Sequence, residues 1–239
     1  MEEYQQIAAM ISLSMGAAWA SGINLYAALV MIGLMGATGN MVLPEQLQIL
    51  TDPLVIGAAG FMYMVEFVAD KLPGVDTGWD SLHTFIRIPA GALLAAGAVG
   101  EVAPAMELAA AVIGAGVATT SHVTKAGSRV LINTSPEPFS NWIASIGEDL
   151  LVLAGLYTAI NNPWWFLGLL AIFLLLAVWF IPKLWRGIKT VFQALGSLFS
   201  PHSPATAAPM SGDIDWPDLS TPADSGSPDA IEQKPPTGN

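Results

Sequence analysis

The chain has no cysteine among its 239 residues, which excludes disulfides, thiolate metal sites and cysteine nucleophiles. It is also poor in charge: 11% of residues are Asp, Glu, Lys or Arg, against about 25% in an ordinary soluble domain. Basic residues are the scarcest, 8 in all, and none precedes Lys71. Glu2 and Glu3 stand where a secretory signal would carry its basic residues, so the first apolar stretch is expected to be retained. No nucleic-acid partner is expected.

What is present is apolar. Hydrophobic residues make up 53% of the chain, and stretches near 7–38, 53–71, 82–100, 104–132, 140–160 and 163–182 each reach the roughly 20 helical residues that cross a hydrocarbon core. The expected fold is all-α, a polytopic membrane helix bundle of about six spans. The net charge of −11 is misleading as a guide to ligands, because Asp213, Asp215, Asp218, Asp224, Asp229 and Glu232 against Lys234 place −5 of it in the tail. From residue 200 Pro, Ser, Asp, Gly and Thr dominate, a composition that cannot order itself by burial. Two parts are therefore expected: a transmembrane domain over 1–199 and a disordered acidic cytoplasmic tail over 200–239.

Lys71, Arg87, Lys125, Arg129, Lys183, Arg186 and Lys189 fall toward one side if both termini are cytoplasmic, and the other side has none. The positive-inside rule supports that orientation, and the expected location is a bacterial cytoplasmic, or inner, membrane, crossed several times with both termini cytoplasmic. After Pro182 basic and aromatic residues alternate at helical spacing, which reads as an interfacial helix ending the domain.

A shift of 100 residues pairs Gly16 with Gly116, Ala18 with Ala118, Ser21 with Ser121, Val30 with Val130 and Ile32 with Ile132. Three spans between the copies would invert one against the other, as in transporters built from two inverted three-helix halves. Each copy also carries a polar interruption, Ala20-Ser-Gly-Ile-Asn24 and Thr120-Ser-His-Val-Thr124. The first helix of each half is thus expected to be interrupted. Glu66 and Glu148 follow at similar distances from Pro53 and Pro136.

The ionisable residues form stripes. Glu66 and Asp70 share a helical face with Tyr63 one turn earlier, Asp80, His83, Thr84 and Arg87 recur at i, i+3, i+4 and i+7, and Ser121, Lys125 and Arg129 at i, i+4 and i+8 beside His122. Glu148 and Asp149 add carboxylates to an apolar helix, where unpaired charge is expensive. Ser21, Asn24, Glu66, Asp70, Ser121, His122, Glu148 and Asp149 are the expected substrate or ion site. Asp80, His83, Arg87, Lys125 and Arg129 are the expected gate or charge pairs. The competing reading makes these groups interhelical pairs, such as Asp70 with Arg87 and Glu148 with Lys125, with Lys125 and Arg129 snorkelling to the inner surface. Asp76 and Asp80 are also candidates for helix caps. The sequence assigns no cofactor and leaves a metal open: His83 and His122 with Asp80 or Glu66 are a weak signal for one.

Ser21-Gly-Ile-Asn-Leu-Tyr26 and the run from Glu66 through Asp-Lys-Leu-Pro-Gly-Val-Asp to Arg87 resemble motifs of a widespread bacterial family of integral membrane proteins catalogued as a domain of unknown function. The resemblance covers roughly residues 7–180 and implies a membrane protein with those two motifs at its centre. The functional expectation is a secondary transporter or permeation protein for a small ion or polar solute, proton- or cation-linked through intramembrane carboxylates. The alternatives are an intramembrane enzyme acting on lipid headgroups around Asp76, Asp80 and His83, or a scaffold recruiting a soluble partner through its tail. The bilayer is the expected surrounding, and the small-residue faces allow a homo-oligomer.

Overall fold

The computed structural model describes residues 1–72, 74–100, 102–134 and 138–199. The tail, Pro73 and Pro136 lie outside the described residues, and residues Met1–Phe199 cluster as one compact unit. Its elements are α1 (Glu2–Ala37), a 3-10 turn (Glu45–Thr51), α2 (Pro53–Ala69), α3 (Val75–Ala98), α4 (Pro104–Ile132), α5 (Pro138–Asn161) and α6 (Pro163–Phe199). Four of these helices begin at a proline, whose fixed φ suits the first turn and whose missing N–H is not needed there. Asp52 caps α2 by accepting from the Leu54 N–H at 2.7 Å. The tight connection into α3 uses Gly74 at φ 85°, a conformation open to glycine.

Within α1 the backbone leaves the helical region at Asn24 (φ −145°, ψ 96°). Up to that point the chain runs antiparallel to α3 and α5. Ser14 Oγ donates to Ala95 O and Ser21 Oγ to Arg87 O, while Ser12 Oγ donates to Ala159 O and Gly155 packs on the Trp19 ring. Past Asn24 it returns, with Gly33 against Leu50 and Ile56 and Gly36 against Leu43 and Thr51. Ala9, Met10 and Leu13 share one cavity with Met41, Val42 and Pro44 and with Ala98, Val99 and Ile160. A straight helix of 36 residues would be about 54 Å long and would hold those two groups at opposite ends. Asn24 is therefore the tip of a fold-back with arms 2–23 and 25–37.

This corrects the expected topology. By length and hydropathy α1, α4, α5 and α6 are each sufficient to cross a membrane, and the 3-10 turn with α2 qualifies as a pair bent by 68°. α1 divides its apolar length between two arms, so both of its ends lie with the C-termini of α3 and α5. Residues 181–188 line a cavity with the first turns of α3 and the last of α4, at the opposite end. The N-terminal turns and the C-terminal turns of α6 are thus at opposite ends of the bundle, not the same one. The first end carries Glu2, Glu3, Glu45, Asp52 and Glu107 and no described lysine or arginine; the other carries Lys71, Arg129, Lys183, Arg186 and Lys189.

The matched segments of α1 and α4 also run in the same direction, not inverted. Ala18 lies at Gly114, Gly22 at Ala118 and Ser121, and Ile23 at Lys125. Nor is α4 interrupted. Ser and Thr there donate back within the helix, Thr120 Oγ1 to Gly116 O, Ser121 Oγ to Val117 O and Thr124 Oγ1 to Thr120 O, so their polarity is satisfied without a break. The helix after Pro182 continues α6, and Leu184 packs on Gly127 of α4.

Small residues bring α1, α3 and α4 together. A Cβ on Gly22 would strike Ser121 Oγ and Ala118 O, and one on Gly114 would strike Ala95 and approach Gly91 O at 3.1 Å. Ala17, Ala18, Ala20 and Ala28 are fully buried in this seam. The expected small-residue run of α3 serves packing inside the bundle through Gly91 and Gly97.

Candidate functional site: an ion cluster at the tip of a folded helix

The stripes predicted from helical spacing converge beside Asn24. The last turn of α2 supplies Glu66 and Asp70, the first half of α3 Asp80 and Arg87, the last half of α4 Lys125 and Arg129, and α5 Glu148. Arg87 bridges two helices, donating from Nη2 to Glu66 Oε1 at 2.6 Å and from Nη1 to Asp80 Oδ1 at 2.8 Å. Arg129 grips Glu148 with Nε and Nη2 at 3.1 and 2.8 Å, a bidentate pair, and donates from Nη1 to Asp70 O and Asn141 O. Lys125 sits at the centre: its Nζ is 2.9 Å from Asp70 Oδ2, 3.4 Å from Glu148 Oε2, 3.5 Å from Glu66 Oε1 and 3.7 Å from Asp80 Oδ1.

Two expectations change. Arg87 pairs with Glu66 and Asp80, leaving Asp70 to Lys125 and Arg129. Lys125 and Arg129 do not snorkel, because their side chains are 2% and 0% exposed inside the cluster. The expected pair of Glu148 with Lys125 is present, though Arg129 holds Glu148 more closely. Four carboxylates therefore face three cations. Glu66 Oε2, Asp70 Oδ1, Asp80 Oδ2 and Arg87 Nε are buried with no hydrogen-bond partner among the described residues. Removing an ion from water costs several kcal/mol, so such a cluster is an expensive way to hold helices together.

The helix break is chemically matched to it. Ile23 O, freed from its helical partner, accepts from Lys125 Nζ at 3.0 Å, placing a cation on the negative end of the first arm. Asn24 Oδ1 accepts from the Ala27 N–H at 3.0 Å and so caps the second arm. The amide of the same side chain donates to Asp149 Oδ1 at 2.9 Å, and Tyr63 Oη donates to Asp149 Oδ2 at 3.2 Å. An anion thus stands near the positive end of the second arm.

Around this centre the remaining candidates have separate tasks. Ser21 donates to Arg87 O, whereas Ser121 lies under Gly22 and bonds only within α4. His122 receives Arg87 Nη1 at its Nδ1 at 3.4 Å and, as the Nε2–H tautomer, donates to Thr84 Oγ1 at 2.7 Å. His83 donates from Nδ1 to Trp79 O at 2.9 Å and accepts from Tyr26 Oη at Nε2. Asp76 caps the start of α3, accepting from the N–H groups of Gly74 and Thr77 and from Asn133, which is itself clasped by Asn141. Asp80 caps nothing. Among the described residues no group of three or more His, Cys, Asp or Glu is placed to hold a metal ion.

Sequence reasoning missed Tyr26, Asn133 and Asn141. Asn133 and Asn141 flank the α4–α5 connection, where polar residues are ordinary and carry no signal. A cavity of about 520 Å³ between α3, α4 and α6 opens beside this site, with Asp80, Thr84 and His122 on its inner wall and Val123, Val130, Ile181 and Trp185 among its apolar lining.

A family model described as Domain of unknown function (DUF4126) matches residues 11–183. The chain belongs to the DUF4126 family. The match takes in the α1 fold-back, the cluster and the α3 and α4 walls of the cavity, and ends just past Pro182, before Leu184, Trp185 and Ile188 of its α6 wall. No curated protein and no solved structure matches the chain.

Proposed function

We propose that this protein is a permeation protein or secondary transporter for a small ion or polar solute, and that the cluster around Asn24 is its site. The observation that carries the reading is a helix folded back inside an apolar bundle, with its broken tip held by ion pairs in which carboxylates outnumber cations. Ionised groups at that depth are costly, and broken helices expose backbone charge where transported ions bind. Asp70, Asp80, Glu148, Arg87, Lys125 and Arg129 lie close enough to exchange partners, which is the behaviour of a gate. The cavity beside Asp80, Thr84 and His122 gives a route to it.

By the positive-inside rule the end with Lys71, Lys183, Arg186 and Lys189 faces the cytoplasm of a bacterial cell and the N-terminus faces out. The lipid-headgroup enzyme has less support. Asp76, Asp80 and His83 turn to three different partners, Asn133, Arg87 and Tyr26.

The test is purified protein in proteoliposomes under imposed proton, sodium, divalent-cation and anion gradients, read by current and by an internal pH dye. Gradient-specific flux that is lost in Glu66→Gln/Glu148→Gln is the expected outcome. Correctly inserted wild-type protein that passes nothing under any gradient overturns the reading.

A further inference from the structure

Five acidic side chains surround the tip of α1, and they differ in what neutralises them. Glu66, Asp70, Asp80 and Glu148 each have an arginine or lysine nitrogen within 2.9 Å. Protonating any one of these gives up a direct, charge-assisted bond to an arginine or lysine, even though the other three carboxylates still balance the three cations. Asp149 is different. It is 7% exposed, and among the described residues no lysine or arginine reaches it within ion-pair distance; its partners are the neutral Asn24 amide and Tyr63 hydroxyl.

We propose that Asp149 is the group that takes up and releases a proton in the permeation cycle, and that the neighbouring seven-membered cluster supplies the charge pairs that exchange around it. This deepens the permeation reading and rests on it. The step is a reversible O–H bond formation: a carboxylate oxygen gains a proton delivered from water or the permeating solute, and no other covalent bond changes. The ligand is a proton and not a metal cation: the Tyr63 hydroxyl oxygen can turn to accept from a protonated Asp149, whereas the Asn24 amide donor on the other oxygen repels a cation.

Asn24 makes the event structural. Its side chain caps the second arm through Oδ1 and bonds Asp149 through Nδ2. Neutralising Asp149 replaces a charge-assisted bond with an ordinary one and removes the anion opposite the positive end of residues 25–37. That arm is then freer to hinge at Asn24. The charged and titratable groups that act on Asp149 are Tyr63, Asp70 and Lys71 from the α2 side and Lys125 from α4, with Glu148 adjacent on its own helix. Lys71 stands outside ion-pair distance of Asp149, held against the Phe67 ring and Ser145 Oγ.

Full-length protein in lipid vesicles can be treated with a membrane-soluble carbodiimide, which reacts with protonated buried carboxyls, and mapped by peptide mass spectrometry. The expected adduct is on Asp149, grows as pH falls, and is lost in Asp149→Asn. An adduct mainly on Glu66, Asp70, Asp80 or Glu148, one that ignores pH, or none at all overturns the proposal, and wild-type protein alone decides these outcomes. Adduct on Asp149 without gradient-driven flux would sink the permeation reading and leave the protonation site standing. Flux with the adduct elsewhere would sink only the assignment to Asp149.

Discussion

Residues 8–22 of the first arm of α1 and 27–36 of the second pack mainly on small and apolar residues; the tip between them lies beside a cluster of seven charged side chains and touches it through Lys125. In the first region, cohesion comes from close approach. Gly22, Gly91 and Gly114 admit neighbouring helices to distances a methyl group would block, and fully buried alanines fill the seam. In the second, each ion has lost its hydration and regains it only in part, through Arg87, Lys125 and Arg129. A bundle selected for stability alone would extend the first solution to both regions. The charged region is therefore where function is to be sought.

The sharpest way to break this comparison is to ask whether the tip is a tip. Since the chain has no cysteine, single replacements can be read without background. Gln5→Cys and Asn40→Cys should react with an impermeant thiol reagent from one side of the membrane, and Lys189→Cys only from the other. If Gln5→Cys labels from the same side as Lys189→Cys, α1 crosses and the fold-back is wrong.

Next in size is the cost of uncovering buried charge. Arg87→Ala strands Glu66 and Asp80 and should lower unfolding free energy by about 3–5 kcal/mol in mixed micelles. In the apolar region Gly22→Ala, whose new methyl meets Ser121 and Ala118, should cost roughly 1–3 kcal/mol by overpacking. Gly147→Ala, which meets nothing, should cost nothing measurable. A smaller loss for Arg87→Ala than for Gly22→Ala would mean that water already reaches the cluster.

Much of the site was legible from spacing alone. Asp80, His83, Thr84 and Arg87 fall on one stripe because helical geometry puts them there, and the same holds for Glu66 with Asp70 and for Lys125 with Arg129. The break at Asn24 was also legible, as a polar interruption in a stretch too long for one crossing. Its direction was not. A fold-back and a crossing bury the same apolar residues, so hydropathy is blind to the difference, and spacing alone did not show that α1 and α4 run parallel or that the N-terminal turns and the end of α6 lie at opposite ends of the bundle. The missing basic residues on both flanks of α1 were the available hint, since a connection on the cytoplasmic side usually carries some. Partners across helices, such as Asp149 with Tyr63 or Tyr26 with His83, depend on rotation angles that no single sequence fixes.

The smallest effect is the most informative about how the two regions are joined. Asn24→Ala removes both the cap on the second arm and the donor to Asp149, and a lost cap costs about 1 kcal/mol. Asn24→Ser restores a capping oxygen but not the amide. If the tip is held only as a helix end, serine should recover most of that stability and the slow amide hydrogen exchange of Leu25, Tyr26 and Ala27. If Asp149 also anchors the arm, serine should leave those amides exchanging faster than in wild type. Fast exchange confined to those three residues, with the Ala17–Ala20 seam still protected, would place the hinge at Asn24 and separate the working region from the packed one.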